Sequence, residues 1–231
     1  MSTTVNWGRR RRYALAAIVA GIAVSFALYS AAQSYIYKGS KVWNFDSPTD
    51  SASLNQFLAS QSNSGDAGNW TIIPDATAPS PPNVLERIPG NQSDSGYHIL
   101  VMPDGPYQTN LQVGLKFKMI GGGHGNEAVG MIVRLQDGSH YFVLYADYAA
   151  QRFSLCRADP GEFLCTQDKN VAISVGNWHN ITAYVSAQGI AGSLDNKLLL
   201  QRYDQHYQTG TVGILVKGNS KAYFDDLSAE Y

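Results

Sequence analysis

From residue 97 to the C-terminus, apolar and polar residues alternate in short segments that turn residues separate about every eight to twelve positions. Alternation with a period of two places successive side chains on opposite faces of a β-strand, and the pattern has almost no helical periodicity. Residues 42–96 carry further strand-like pieces among polar and proline-rich stretches. The pattern predicts an all-β fold, a jelly-roll β-sandwich of two antiparallel sheets.

The clearest predicted hairpin joins residues 129–136 to residues 139–147 through Asp137 and Gly138, a dipeptide that favours a two-residue type I′ turn. This register gives three cross-strand pairs: Arg134 with Tyr141, Ile132 with Val143, and Gly130 with Tyr145. One face then carries five apolar side chains and one histidine: Met131, Val133, Leu135, His140, Phe142 and Leu144. That face is predicted to lie in the core between the two sheets.

The opposite face of the hairpin is amphipathic and could be exposed. Its Arg134, Tyr141 and Tyr145, with Tyr184 from a later strand, offer aromatic rings beside hydrogen-bonding groups, the chemistry that binds carbohydrate. These four are the predicted ligand-binding residues. Because tyrosine favours strands intrinsically, ordinary packing on the sheet surface is the competing explanation for the cluster.

The later strands follow the same alternation. One strand directs Ile181, Ala183 and Val185 inward and Asn180, Thr182 and Tyr184 outward. A hairpin over residues 190–200 turns at Asp195 and Asn196, and the closing strands cover residues 211–217 and 221–230.

The N-terminus has the pattern of a membrane anchor. Four arginines at residues 9–12 precede twenty uncharged residues, 13–32, which as a transmembrane helix would span roughly 30 Å, the thickness of a bilayer's hydrocarbon core. Because lysine and arginine stay cytoplasmic, residues 1–12 are predicted to be a cytoplasmic tail, 33–41 an extracellular stalk and 42–231 an extracellular domain. The competing interpretations are a signal peptide cleaved near Ala32, which would make the body a secreted protein, and a buried soluble helix.

Charge argues against nucleic acid as a partner. The chain has 17 basic residues, and subtracting the four arginines of residues 9–12 leaves 13 against 18 acidic ones, a net charge of −5 for residues 13–231. An acidic body without a lysine or arginine cluster lacks the electrostatic footprint of a nucleic-acid-binding protein.

Two further features are consistent with export. Cys156 and Cys165 are the only cysteines, and they flank an Asp-Pro-Gly turn signal at residues 159–161, where two meeting strands would bring the thiols together. The resulting disulfide would contribute about 2–3 kcal/mol, the alternative being free thiols in a reducing compartment. Three asparagines begin glycosylation sequons, which require an exported chain: Asn69, Asn91 and Asn180.

Five motifs follow one another in the second half of the chain. They are the hairpin of residues 129–144, Gly176-Asn177-Trp178-His179-Asn180-Ile181, Leu194-Asp195-Asn196-Lys197-Leu198, Gly210-Thr211-Val212-Gly213-Ile214 and Tyr223-Phe224-Asp225-Asp226-Leu227. In this order they resemble the concanavalin A-like lectin/glucanase superfamily, in particular its laminin G-like and 3-keto-disaccharide hydrolase-type jelly-roll domains. The resemblance covers residues 97–231 well and 42–96 loosely. It implies a fold and no single activity, because lectins, enzymes and adhesion modules share this fold.

The residues assign no catalytic site. Glucanases of this superfamily carry Glu-x-Asp-x-x-Glu on one strand, so that alternation places the carboxylates on one face. None of the four glutamates stands in such a motif: Glu86, Glu127, Glu162 and Glu230. The five histidines lack zinc-site spacing, and no Gly-x-Ser-x-Gly elbow occurs.

The predicted module requires no cofactor. The resemblance suggests one possible ligand of this kind, a structural calcium ion. Laminin G-like domains often hold calcium at the sheet rim through aspartate and backbone oxygens. The candidate ligands near predicted strand ends are Asp104, Asp147, Asp225 and Asp226. Solvated surface aspartates are the alternative, with Asp225 and Asp226 tying the last strand to a neighbouring loop.

These observations predict a membrane-anchored extracellular module, without catalysis, that binds carbohydrate or interacts with the cell surface. Its partners would be a glycan or a cell-surface protein, and the membrane through residues 13–32. Two alternatives stay open, a glycan-processing enzyme of the 3-keto-disaccharide hydrolase type and a structural subunit of a surface complex.

Overall fold

The computed structural model describes residues 37–47, 58–62, 68–90, 96–102, 109–121, 125 and 127–231, with the backbone alone for residues 58–62. Across these ranges the secondary structure consists of strands and turns, without a helix. The predicted tail and membrane span, residues 1–32, lie outside them and stay predictions. In the part of the chain that the structure describes, no helical segment has the length and hydropathy of a membrane span.

The described residues form fifteen strands in two antiparallel sheets. The strands are β1 (Ser40–Trp43), β2 (Leu58–Ser62), β3 (Asn69–Pro74), β4 (Asn83–Ile88), β5 (Tyr97–Val101), β6 (Leu111–Gly121), β7 (Ala128–Asp137), β8 (His140–Asp147), β9 (Arg152–Asp159), β10 (Glu162–Asn170), β11 (Trp178–Ser186), β12 (Gly189–Leu194), β13 (Lys197–Tyr203), β14 (Thr211–Lys217) and β15 (Lys221–Glu230). The eight-stranded sheet has the order β13-β12-β11-β6-β15-β4-β3, with β1 also paired to β15, and the seven-stranded sheet has the order β10-β9-β8-β7-β14-β5-β2. The predicted all-β sandwich is confirmed. Because β1 begins at Ser40, the last two residues of the predicted stalk lie in a sheet.

One apolar core fills the space between the two sheets. On β6 and β11 apolar inward positions alternate with polar outward ones, and these inward side chains are buried: Leu111, Val113, Leu115, Phe117, Ile181, Ala183 and Val185. Burying a side chain of leucine size contributes about 1.5–3 kcal/mol, so this alternation fixes which face of each strand turns inward. The inward and outward residues of β11 are those that the sequence predicts.

The β7–β8 hairpin departs from its predicted geometry near the turn. Two predicted pairs are present, Gly130 with Tyr145 and Ile132 with Val143. However, Asp137 pairs with His140, so the turn consists of residues 138–139. Between this pair and the pair of Val133 with Phe142, β7 has three residues and β8 has one, which is a bulge of two residues in β7. Arg134 lies in this bulge with a φ of 52°, and its predicted pairing with Tyr141 is wrong.

The bulge changes the side of the sheet on which the side chains at the end of β7 lie. Leu135, predicted for the core, belongs instead to a second apolar cluster on the opposite face of the sheet. His140, also predicted for the core, is half-exposed, with its Nδ1 2.8 Å from the Asp137 Oδ1. Gly210 packs on the bulge, where a Cβ would lie 2.3 Å from the Arg134 carbonyl carbon, so a larger residue does not fit without a backbone shift.

Two other turn predictions are confirmed. Asp195 and Asn196 connect β12 to β13 with φ values of 50° and 64°, the left-handed pair that a type I′ turn requires. Cys156 and Cys165 lie opposite each other on β9 and β10 and form a disulfide. Disulfides persist in oxidising compartments, so this bond is consistent with an exported chain.

Candidate functional site

The outer face of the eight-stranded sheet is polar, whereas its inner face is apolar. The outward positions on its two central strands are Gln112, Gly114, Lys116 and Lys118 on β6, and Trp178, Asn180, Thr182 and Tyr184 on β11. Most of these side chains are partly exposed. They present hydrogen-bonding groups and aromatic rings to solvent on a rigid sheet.

A groove of about 350 Å³ lies on this face, over β1, β6, β11 and β15. Its polar lining includes Gln112, Lys116, Asn180, Asp226, Ser228 and Glu230. The one aliphatic lining side chain is that of Val42 on β1, which is 60% exposed. The groove is therefore suited to a ligand with many hydroxyl groups rather than to an apolar one.

Gly114 opens the middle of the groove. It pairs with Thr182 of β11 on one side and with Ser228 of β15 on the other. A Cβ on Gly114 would lie 2.9 Å from the Ser228 Oγ, well inside ordinary contact distance. The absent side chain leaves a trough along β6, with the short side chains of the two neighbouring strands as its walls.

The groove contains one ion pair. The Lys116 Nζ donates to the Asp226 Oδ2 at 2.8 Å, and the two side chains are 41% and 20% exposed, so the pair contributes about 1 kcal/mol or less to stability. Asp226 has a φ of 46° in an irregular stretch of β15, where the pairing with β6 shifts between Asp225 and Ser228. With Glu230, the groove presents two carboxylates and one ammonium group.

Aromatic side chains lie beyond both ends of the groove. At one end the Lys118 Nζ is 4.9 Å from the ring centroid of Trp178 and 5.1 Å from that of Tyr223. Asp75 accepts a hydrogen bond from the same ammonium at 2.5 Å. At the other end Tyr184 follows the groove residues of β11 on the same face. Rings at such positions can stack on the apolar faces of sugars.

Asp225 is fully buried beside the groove and contacts the backbone. Its Oδ2 accepts a hydrogen bond from the Ser80 N–H at 2.8 Å, and its Oδ1 accepts one from the Asp226 N–H at 2.7 Å. The first bond ties the last strand to the loop of residues 78–82. Burial raises the pKa of Asp225 to about 6, assisted by the negative charges of Asp226 and Asp46, although the two hydrogen bonds oppose the shift.

The raised pKa of Asp225 predicts a specific pH dependence of stability. The folded chain holds this proton up to about pH 6, whereas the unfolded chain releases it near pH 4, so the contribution of Asp225 to the free energy of unfolding falls as pH rises through that window and is then constant. Asp225→Asn cannot ionise. Relative to the unsubstituted chain, its free energy of unfolding should therefore rise by about 2–3 kcal/mol between pH 4 and pH 7, measured by urea unfolding. Parallel pH profiles for the two chains would contradict the assignment.

The four predicted ligand-binding residues do not form one exposed patch. Arg134 and Tyr141 are fully buried and Tyr145 is 5% exposed, all three on the seven-stranded sheet. The prediction that this hairpin face is exposed is wrong, because both tyrosines belong to the second apolar cluster, where Tyr145 packs edge-on against Tyr97 at 6.1 Å between ring centroids. Tyr184 lies on the other sheet, beside the groove.

The candidate calcium ligands have other contacts. Asp147 accepts a hydrogen bond from the Ala150 N–H at 2.8 Å in the turn after β8, Asp226 is ion-paired, and Asp225 binds backbone N–H groups. Asp104 lies outside the described residues. Within the ranges that the structure describes, no group of three or more histidine, cysteine, aspartate or glutamate side chains could hold a metal ion. Calcium stays a prediction from the resemblance.

Two of the three sequons lie in the described ranges. Asn69 is exposed at the start of β3, and Asn91 lies outside the described residues. Asn180 lines the groove, with its Nδ2 3.4 Å from the Asn196 Oδ1. A glycan attached to Asn180 would occupy the groove, so modification of this residue and ligand binding there would compete.

The fold has clear counterparts among solved structures, although no protein-family model and no curated protein matches the chain. The carbohydrate-binding module CBM66 from Bacillus subtilis superposes with a TM-score of 0.58 at 14% identity, over 71% of this chain and 92% of the module. A Bacillus subtilis protein of unknown function with a galectin-like fold has a TM-score of 0.56 at 11% identity, over 85% of this chain and 97% of that protein. Bacillus licheniformis β-glucanase has a TM-score of 0.54 at 13% identity, over 84% of this chain and 98% of the enzyme.

The chain has the concanavalin A-like lectin/glucanase fold. The resemblance carried by the order of the five motifs is thereby confirmed at the level of fold. At these sequence identities the likeness extends to the fold alone, because proteins that share it differ in activity. In this concanavalin A-like sandwich the polar groove lies on the outer face of the eight-stranded sheet.

Most of the groove was not predicted from the sequence. The alternation placed Asn180 and Thr182 on the outward face of their strand, but it gave no role to the outward residues of β6. The missed signal is the alternation over residues 111–118, in which three polar side chains and one glycine occupy the outward positions. A glycine among polar outward positions of a strand marks a gap in the side-chain cover.

Proposed function

We propose that this chain is a membrane-anchored, extracellular carbohydrate-binding module whose ligand lies in the groove over β6. The observation that carries the proposal is the groove itself, a trough lined by polar side chains with aromatic rings beyond each end. The solved structures that share the fold include a carbohydrate-binding module, which supports the same class of ligand.

The groove chemistry matches a polyhydroxylated ligand. A sugar offers hydroxyl donors and acceptors at fixed spacing, and the amides of Gln112 and Asn180 can each donate and accept. The paired Lys116 and Asp226 add a charged donor and a charged acceptor, whose hydrogen bonds are about twice as strong as neutral ones. Apolar sugar faces would stack on Tyr184 or on the rings at the other end.

The anchoring part of the proposal rests on residues 13–32, whose length and flanking arginines suit a single membrane span. The disulfide between Cys156 and Cys165 supports an oxidising compartment for the body. Together they favour a module that presents its groove outside the cell.

A glycan array probed with the full-length chain tests the proposal, in a detergent whose headgroup is not a sugar. We expect binding to a subset of glycans, weakened by Asn180→Ala, which removes a groove amide, and unchanged by Asn170→Ala, which removes an exposed amide from β10 of the other sheet. Repeating the array with a calcium chelator tests the calcium prediction. Absence of binding to every glycan would contradict the proposal and favour a surface-protein partner.

A further inference from the structure

Three residues near the start of β11 have the geometry of a nucleophile, a base and an orienting acid. The His179 Nε2 lies 3.0 Å from the Ser174 Oγ, and the His179 Nδ1 lies 2.8 Å from the Asp195 Oδ2. The three residues lie in the loop before β11, on β11 and in the β12–β13 turn, and the pairing of β11 with β12 brings Asp195 next to the start of β11. None of the three lines the carbohydrate groove.

The contacts define which nitrogen of His179 is the base. The Ser174 backbone N–H, which can only donate, points at the His179 Nε2 at 3.1 Å, whereas the Ser174 carbonyl oxygen is farther away at 3.3 Å. The Nε2 therefore carries the lone pair, and the Nδ1–H donates a hydrogen bond to the Asp195 Oδ2. A general base that takes a proton from a serine hydroxyl needs this tautomer.

Contacts with neighbouring strands position the base and its acid, whose side chain is 49% exposed. His179 stacks on Phe117 at 5.4 Å between ring centroids, and its side chain is 9% exposed. The Asp195 Oδ1 accepts a hydrogen bond from the Asn180 backbone N–H at 2.9 Å, and the Asp195 N–H donates to the Asn180 carbonyl oxygen at 2.8 Å. The acid thus has one oxygen fixed by backbone and the other directed at the imidazole, which is how a second group orients a catalytic base.

Ser174 is partly buried next to exposed residues and has a hydrogen-bond donor beside it. The Asn177 Nδ2 donates to the Ser174 Oγ at 3.0 Å, and residues 175–177 are exposed. An amide at that distance from the nucleophile can also donate to an oxyanion formed on a carbonyl group bound to that nucleophile. The serine carries no elbow motif, but such a triad is recognised by geometry and not by sequence position.

We propose that Ser174, His179 and Asp195 form a hydrolytic site for small carboxylic esters, beyond the glycan-binding function and independent of the groove. The Ser174 Oγ bonds to the ester carbonyl carbon while its proton moves to the His179 Nε2. The bond from that carbon to the alcohol oxygen then breaks, and the alcohol departs with the proton. Water, which gives a proton to the same nitrogen, attacks the acyl-serine, releases the carboxylic acid and restores the serine. Asp195 stabilises the imidazolium at each step.

Covalent labelling of the purified full-length chain with a fluorophosphonate probe tests the site directly. We expect one adduct, located by peptide mass spectrometry on Ser174, together with hydrolysis of p-nitrophenyl acetate. Ser174→Ala should abolish the adduct, and it should lower the hydrolysis rate, like His179→Gln, on the order of 100-fold. Ser186→Ala, which removes a hydroxyl that donates to the Gly189 carbonyl oxygen rather than to an imidazole, is the matched control and should change neither.

Labelling of the unsubstituted chain keeps the test independent of whether a variant folds. Absence of an adduct on Ser174, or an equal rate of hydrolysis in folded Ser174→Ala and unsubstituted chain, would overturn the proposal and leave the three residues as a structural link between β11 and the β12–β13 turn. Asp195→Asn adds a readout that simple packing would not produce, a fall in kcat with little change in KM. Gly114→Leu, which fills the groove, should not alter the labelling, so failure of the glycan-binding proposal and failure of this one are distinguishable.

Discussion

Arg134→Met is expected to lower the free energy of unfolding by about 3–5 kcal/mol, because it removes a buried guanidinium on which three backbone carbonyls depend. The Arg134 Nη1 donates to the carbonyl oxygens of Asp204 and His206 at 3.1 and 3.0 Å, and the Nη2 donates to that of Ser186. Methionine fills a similar volume but donates nothing, so these carbonyls, one buried and two partly buried, would be left without their donor.

The surroundings of Arg134 explain why a charged group is tolerated there. Burial lowers the pKa of the guanidinium, while the nearby negative charge of Asp204 opposes that shift. Asp204 is itself 6% exposed and forms an ion pair with Arg202, whose Nε is 3.0 Å from the Asp204 Oδ2. The buried cation therefore belongs to a charge network that joins the β7 bulge to the loop after β13.

Urea unfolding of the full-length chain measures this effect, with Arg152→Met as the matched control. Arg152 is 46% exposed and its Nη1 is 3.8 Å from the Asp168 Oδ2, so its loss should cost about 1 kcal/mol or less. Arg134 has a positive φ that is equally costly for methionine, so the substitution leaves the backbone strain unchanged. A loss at Arg134 no larger than that at Arg152 would mean that the carbonyls find other partners.

The same arginine shows where sequence reasoning succeeded and where it could not. The turn signal at Asp137 and Gly138 predicted a register that is correct at Ile132 and Val143, and the apolar side chains on the other face of the hairpin agree with it. It could not predict the bulge, since two extra residues in β7 depend on Gly210 and the loop that packs there, far away in the chain. Arg134 therefore looked like a surface cation, although it is a buried donor.

The groove could not be predicted from the sequence for a different reason. A strand pattern identifies which residues face outward, as it did for Asn180 and Tyr184 on β11. It does not identify which strands are neighbours in a sheet, and the groove exists because β6 lies between β11 and β15. The contacts of Ser174 with His179 and of His179 with Asp195 are more local, within a loop and the β11–β12 hairpin, but neither spacing is that of a serine-hydrolase sequence motif.

Gly114→Leu is expected to remove glycan binding while leaving the sandwich folded. The leucine side chain would fill the trough between Thr182 and Ser228, where the groove is open only because residue 114 has no Cβ. Its Cβ would approach the Ser228 Oγ at 2.9 Å, the end of a small side chain that can rotate away. A larger residue at an outward strand position is otherwise tolerated, since glycine is poor in strands.

The measurement is the glycan array, with thermal unfolding as the test of folding. Binding of the full-length chain should fall at least about tenfold with Gly114→Leu, a loss of about 1.4 kcal/mol, and less with Gly114→Ala, which occupies less of the trough. Asn170→Leu adds the same apolar side chain to an exposed position of the other sheet, so it controls for nonspecific effects of surface leucine. If Gly114→Leu folds normally and binds as well as the unsubstituted chain, the groove is not where the glycan lies.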